Sequence, residues 1–139
     1  MPEDELSTIA ESIVGAEWGR DNEQTDYRED ALEEIVSDPN YLMLFAYVDG
    51  KPVGLALAMR LLKPGGEHWL YVDELDTHPD YRRQGVARVL MEELFEYAKR
   101  WNLKEVWLGT EPDNDGANAL YTSLKPAKVE NFVGYTFEK

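Results

Sequence analysis

Two stretches of the chain hold residue types that could do chemistry. In the first, Arg82-Arg83-Gln84-Gly85-Val86-Ala87, the small residues Gly85 and Ala87 let a ligand approach the main chain closely. A helix that starts here offers the N–H groups of its first turn, with the positive end of its dipole behind them, and so suits a pyrophosphate. Arg82 and Arg83 place positive charge where that anion would sit. Carboxylates gather nearby in sequence: Asp73, Glu74 and Asp76 before the loop, Glu111 and Asp113 well after it. Such groups can take a proton from an ammonium or serve as its counter-charge. The second stretch, 114–121, reads Asn-Asp-Gly-Ala-Asn-Ala-Leu-Tyr and ends on Tyr121, a phenol able to protonate a leaving group.

Other chemistries have little to work with. The chain has no cysteine, which removes thiol nucleophiles, acyl-cysteine intermediates and disulfides. Its two histidines, His68 and His78, lie far apart in a strand-and-loop reading, so neither a metal site nor a Ser-His triad is expected.

The elements that must position these residues follow from periodicity and breakers. Residues 68–77 read as a strand, stopped by His78-Pro79-Asp80 because proline lacks a ladder donor. From Val86 the apolar residues Val86, Val89, Leu90, Leu94, Tyr97, Ala98 and Trp101 recur at three and four, which predicts a helix. Upstream, 41–48 and 53–62 read as strands joined by Asp49-Gly50, a strong hairpin signal. Both runs are almost wholly apolar, so both faces should be covered. Downstream, 103–111 reads as a strand that must run parallel to 68–77, because a helix makes the crossover. A short helix over 117–124 carries Tyr121, and 128–138, with Val129, Phe132, Val133, Tyr135 and Phe137, reads as a closing strand. Two helices, over 3–14 and 26–36, precede the sheet, with 15–25 irregular between them.

The pattern of Arg82, Gly85 and Ala87 resembles the Arg/Gln-x-x-Gly-x-Gly/Ala loop by which GNAT-superfamily N-acetyltransferases hold the pyrophosphate of acetyl-coenzyme A. Residues 114–121 resemble the same superfamily's Asn-x-x-Ala-x-x-Leu-Tyr helix. The resemblance implies an α/β (α+β) fold, one domain over 1–139. Its central mixed, mostly antiparallel sheet would contain a splayed parallel pair, with helices on both faces. The superfamily's customary first strand has no counterpart ahead of the first helix. The pantetheine arm would lie along the splayed strand, meeting main-chain groups of Leu75, Asp76 and Thr77, with the Leu75 N–H polarising the thioester carbonyl. Arg82, Arg83, Gln84, Gly85, Val86 and Ala87 would hold the pyrophosphate, and Asn114, Ala117 and Tyr121 would complete the cofactor site. Tyr121 is then the candidate general acid.

The base stays open between carboxylates. Relatives that modify protein amino termini place a glutamate where this chain has Gly109. More closely, 71–121 is similar to the aminoglycoside 3-N-acetyltransferases of the GNAT type, in YVDEL before the loop and ALYTSL at the tyrosine helix. That likeness implies Glu74 and Glu111 in the acceptor site as base or counter-charge, with Asp76 and Asp113 beside them. An aminoglycoside is the implied acceptor. Polyamines and protein amines are the alternatives, and a catalytically idle acyl-coenzyme A-binding module is the competing class.

Length and charge bound this reading. A chain of 139 residues buries one core without metal or disulfides. Its net charge of −14 argues against binding nucleic acid or an anionic membrane. Residues 1–40 hold 13 acidic and 2 basic side chains, which serve solubility or form an acidic wall for a cationic acceptor. An acidic N-terminus without a long apolar run suggests a soluble, cytoplasmic protein, expected as a homodimer.

Overall fold

The computed structural model describes residues 27–139. The expected helix over 3–14, the irregular stretch after it and the missing first strand lie outside the described residues. The chain divides into two compact units, one reaching to Leu108 and one from Gly109 to Lys139.

The first unit holds helix α1 (Glu29–Ser37), strands β1 (Tyr41–Val48), β2 (Lys51–Leu62) and β3 (His68–Thr77), helix α2 (Val86–Arg100) and strand β4 (Glu105–Trp107). The strands form one sheet in the order β1-β2-β3-β4. β1–β2 and β2–β3 are antiparallel, and β3–β4 is parallel, as a helical crossover requires. The β1–β2 turn is the expected two-residue one: Asp49 and Gly50 both take positive φ, 51° and 77°, and Val48 pairs with Lys51. That is the hairpin geometry Asp-Gly favours, since its twist matches that of the strands.

Side chains alternate across β2, so its two faces bury against different helices. Leu55 packs with Leu32 of α1, and Met43, Phe45, Val36 and Tyr27 close around them. The opposite face presents small residues, Gly54, Ala56 and Ala58, with Ala46 of β1 beside Gly54. Here α2 lies close: a Cβ on Gly54 would stand 2.5 Å from Val86 Cγ1 and 3.3 Å from Leu90 Cδ1. Helices therefore cover both faces, as expected. In α2 the buried residues are Leu90, Met91, Leu94 and Ala98, whereas Val89, counted on the apolar face by spacing, is 60 % exposed. The helix stops where Asn102 turns left-handed (φ 55°) and Leu103 N–H donates to the Ala98 carbonyl at 2.8 Å, a C-terminal cap that asparagine tolerates.

Two strand expectations are corrected. The run 103–111 forms ladder pairs only over Glu105–Trp107, and 128–138 forms no strand. Val129, Phe132, Val133, Tyr135 and Phe137 are exposed, Phe137 at 84 %. Apolar alternation describes one segment, but a strand requires a paired neighbour, and the second unit contains α3 (Asp115–Ser123) and no strand.

The contact at Gly54 yields a prediction. Val86 is β-branched and held to one rotamer in a helix, so it cannot swing aside, and an added methyl must push α2 from the sheet. Gly54→Ala is expected to cost about 1–3 kcal/mol in denaturant unfolding, with Val86→Ala in the same chain restoring most of it. An unchanged midpoint in Gly54→Ala would show that the contact is slack.

Candidate active site

Glu74 gains its position from an irregularity in β3. The β2–β3 register pairs Ala58 with Val72 and Leu57 with Glu74, so Asp73 has no opposite number and forms a β-bulge. Bulges bend a strand and re-aim its side chains, and they are common beside active sites. After this one, Glu74 and Asp76 lie opposite Leu57 and Leu55 on the α1 face. Leu75 and Thr77 lie opposite Ala56 and Gly54 on the α2 face. Asp73 is exposed.

On the α1 face, Tyr27 Oη donates a 2.7 Å hydrogen bond to Glu74 Oε2. The Tyr27 phenol is pushed far above its ordinary range, by burial first, then by this hydrogen bond, then by the charges of Glu74, Asp76 and Asp73. It therefore stays protonated at neutral pH and serves Glu74 as a donor. In the helix expected over 26–36, Tyr27 falls among the apolar residues with Ala31, Leu32, Ile35 and Val36. Periodicity shows only that its ring faces inward, and nothing local reveals a carboxylate 47 positions away.

β3 also parts from β4. Their ladder consists of Trp69↔Glu105, Leu70↔Val106 and Tyr71↔Trp107, and it ends as the bulge begins. From Val72 to Thr77, β3 is laddered to β2 alone. At the closed end, Tyr71 and Trp107 stack with ring centroids 5.4 Å apart. They line a shallow apolar groove of about 280 Å³ with Leu61, Trp69 and Lys63, whose Nζ sits 4.4 Å over the Trp69 ring. No carboxylate lines that groove.

Beyond Thr77 the chain turns through a short 3₁₀ segment, Pro79–Tyr81, and reaches α2 by a loop braced from within. His78 Nδ1 accepts from Asp80 N–H at 3.1 Å, Gln84 Nε2 donates to the Asp80 carbonyl at 3.1 Å, and Arg82 Nε donates to the Thr77 carbonyl at 3.3 Å. Arg83 and Gly85 take positive φ, 62° and 84°. Gly85 is the N-cap of α2, and no side chain caps the turn it opens. A Cβ there would meet nothing within 4 Å. Glycine is thus required by the backbone angle, and the space before the helix start is open to a ligand. Val86 and Ala87 follow in the first turn, half-buried, whereas Arg82, Arg83 and Gln84 are exposed. These residues fit a pyrophosphate.

The second unit carries the other expected residues. Asn114 caps α3, its side-chain oxygen accepting from Ala117 N–H at 3.3 Å and its Nδ2 donating to Thr110 Oγ1 at 3.2 Å. Asn118 Nδ2 donates to the carbonyls of Glu111, Pro112 and Asn114, at 3.0, 3.3 and 2.8 Å, fastening the turn before the helix to its first residues. Glu111 and Asp113 are exposed on that turn, and Tyr121 is half-buried in the helix. The structure brings Glu74 and Asp76 together on one face of β3, and Glu111, Asp113, Asn114, Ala117 and Tyr121 together in the second unit.

An antiparallel sheet whose single parallel pair parts beside a bulge, followed by a glycine-opened helix start, defines an acetyltransferase architecture. Residues 8–125 match the Acetyltransferase (GNAT) family, and the chain belongs to it. Members of this family use acetyl-coenzyme A. An uncharacterised N-acetyltransferase of Mycobacterium bovis is 32 % identical over 88 residues, 63 % of this chain and 54 % of that one. The ribosomal protein bS18-alanine N-acetyltransferase of Escherichia coli is 32 % identical over 84 residues, 60 % of this chain and 53 % of that one. The chain thus spans about half the length of these relatives. Among solved structures, an aminoglycoside acetyltransferase from an uncultured soil metagenomic sample superposes with a TM-score of 0.84 at 19 % identity, over 100 % of this chain and 93 % of that one. At that identity the likeness shows the fold. Among the described residues no side-chain cluster could hold a metal ion, and no helix is long and apolar enough to cross a membrane.

The loop geometry sets a binding prediction. Gly85→Val forces a β-branched residue to positive φ and fills the open space, and Arg82→Glu reverses a charge while removing the brace to Thr77. Each is expected to weaken coenzyme A about 10- to 100-fold by calorimetry, the worth of one or two charge-assisted hydrogen bonds, with the circular dichroism of the fold retained. Wild-type affinity in both would place the pyrophosphate elsewhere.

Proposed function

We propose that this chain transfers the acetyl group of acetyl-coenzyme A to a primary amine of a small polycationic acceptor, an aminoglycoside by preference. The observation that carries it is the parted end of β3, where a freed strand edge, a carboxylate held at Glu74 and an uncapped helix start occur within one short stretch. Acetyl-coenzyme A supplies an activated thioester. The Arg82–Ala87 loop holds its pyrophosphate, and main-chain groups of Leu75, Asp76 and Thr77 bind the arm as an added strand would. The Leu75 N–H stabilises the oxygen that gains charge during attack.

An ammonium has no lone pair, so the acceptor must lose a proton before it attacks. Glu74 takes it, directly or through a water it orients. As the tetrahedral adduct collapses, Tyr121 gives its proton to the departing sulfur, the nitrogen sheds its second proton, and the phenol is reprotonated by it or by solvent; Asn114 and Ala117 set the helix that carries Tyr121. Glu111, Asp113 and Asp76 supply counter-charge for the acceptor's remaining ammonium groups. Similarity to the 3-N-acetyltransferases of aminoglycosides in residues 71–121, together with the net charge of −14, supports this acceptor. A protein or peptide amine is the second reading, favoured by the 32 % identity to an enzyme named for a ribosomal-protein alanine. A cytoplasmic, homodimeric enzyme without a metal belongs to the same proposal.

Three variants and an acceptor panel test it. Tyr121→Phe should lower kcat by about 10²-fold or more with coenzyme A affinity nearly unchanged. Glu74→Gln should mainly lower kcat, whereas Glu111→Gln should mainly raise KM. For acceptors with several amines, KM should climb more steeply with salt than for monoamines, because exposed attractions are screened beyond ~8 Å at physiological ionic strength. Acetylation of peptide amino termini but not of gentamicin-like or kanamycin-like compounds would replace the aminoglycoside with the second reading. Full activity in Tyr121→Phe would remove the acid from the mechanism.

A further inference from the structure

We propose that Tyr27 is the positioning residue of the acceptor site, its hydroxyl fixing the Glu74 carboxylate so that one oxygen is held and the other is presented to the amine. This rests on the reading of Glu74 as the proton acceptor. The hydrogen bond is short, 2.7 Å, and joins two parts of the chain that both have separate anchors. Tyr27 packs its ring into the cluster around Leu32 and Leu55, immediately ahead of α1. Glu74 is set by the bulge at Asp73. A carboxylate on a strand end would otherwise sample several rotamers. Here Oε2 is occupied, and Oε1 is the oxygen left for an acceptor proton.

The surroundings make the donor dependable. The groups facing Glu74 are Tyr27 itself, Asp73 and Asp76 on the same strand, and Tyr71 one step along the same face. Across the ladder stand Leu57 and Leu55, and α1 contributes Leu32 and Val36 while its Glu29, Asp30, Glu33 and Glu34 are exposed. The Tyr27 hydroxyl is the hydrogen-bond donor that holds Glu74 among these groups. The phenol cannot ionise in competition, because burial and the same carboxylates hold its proton. Tyr27 thus orients the Glu74 carboxylate from one side, without touching the acceptor.

Tyr27→Phe keeps the ring and removes only the hydroxyl. In the full chain with ¹³C-labelled glutamate, the Glu74 carboxyl, assigned by its loss in Glu74→Gln, should move its midpoint upward in Tyr27→Phe, because a hydrogen bond to the carboxylate is removed. The acidic limb of the kcat/KM profile should move up with it, and Tyr27→Phe combined with Glu74→Gln should be no slower than Glu74→Gln alone. An unmoved carboxyl midpoint overturns the proposal, as does a moved midpoint with an unmoved kinetic limb. If Tyr27→Phe does not fold, the reciprocal measurement decides: the Tyr27 phenol should ionise at lower pH in Glu74→Gln by ultraviolet titration, and an unchanged phenol overturns the link. If no amine is acetylated at all, the enzymatic reading fails by itself, while the two titrations still judge the Tyr27–Glu74 bond.

Discussion

A missing side chain at Gly54 governs the geometry of the parted end. The space its Cβ would take is filled by a methyl of Val86, and Val86 is the first helical residue after Gly85. Gly54 also pairs with Thr77, the last residue of β3, whose carbonyl accepts from Arg82. One position of β2 therefore touches both ends of the loop, fixing where β3 stops and where α2 begins. The small residues Ala46, Ala56 and Ala58 extend the same shallow surface, so the helix approaches along several turns and its buried face of Leu90, Met91 and Leu94 closes over it. Such a surface contributes little apolar area of its own, yet it sets the distance at which the larger side chains of α2 bury. The geometry of the helix start is thus a consequence of core packing.

The bulge makes the second decision. Strict alternation would put Glu74 on the same side as Val72, which is buried opposite Ala58 beneath α2. A carboxylate there would face an apolar helix surface and incur the desolvation that keeps charges out of cores. One extra residue at Asp73 turns Glu74 to the other face, where Tyr27 meets it. The register shift follows closely on the last β3–β4 pair, so the re-aimed carboxylate lies where the strand edge is no longer laddered to β4.

Much of this was legible in the chain because its signals are local. Asp49-Gly50 demands positive φ at two successive residues, and β1 and β3 begin and end where breakers place them. The start of α2 was likewise visible in Gly85 before an amphipathic run. Signals that depend on pairing failed. Residues 128–138 alternate like a strand without forming one, and β4 is three residues long where nine were expected. The buried face of α2 is centred differently from the one spacing suggests, because Val89 and Met91 lie about 200° apart on the two flanks of a broad apolar stripe, and only the sheet decides which flank is covered. Tyr27 and the bulge were invisible for the same reason. Each exists only between segments.

Charge must be divided before it can be assigned to function. Glu29 and Asp30 occupy the first turn of α1, where carboxylates are favoured by the helix dipole, and Asp30 also pairs with Arg28, so these two have a structural reason to be there. Glu33 and Glu34, exposed further along α1, have no such reason from position alone. At physiological salt, charges more than about 8 Å from a bound ammonium contribute little to holding it. What such groups alter is the encounter, by raising the local concentration of a polycation near the surface. Contact charges at Glu74 and Asp76 and field charges on α1 should therefore separate kinetically, the first acting on the bound acceptor and the second on its rate of arrival. An acidic surface by itself selects cations as a class, and under the proposed mechanism the carboxylate held by Tyr27 is the group that would distinguish among their amines.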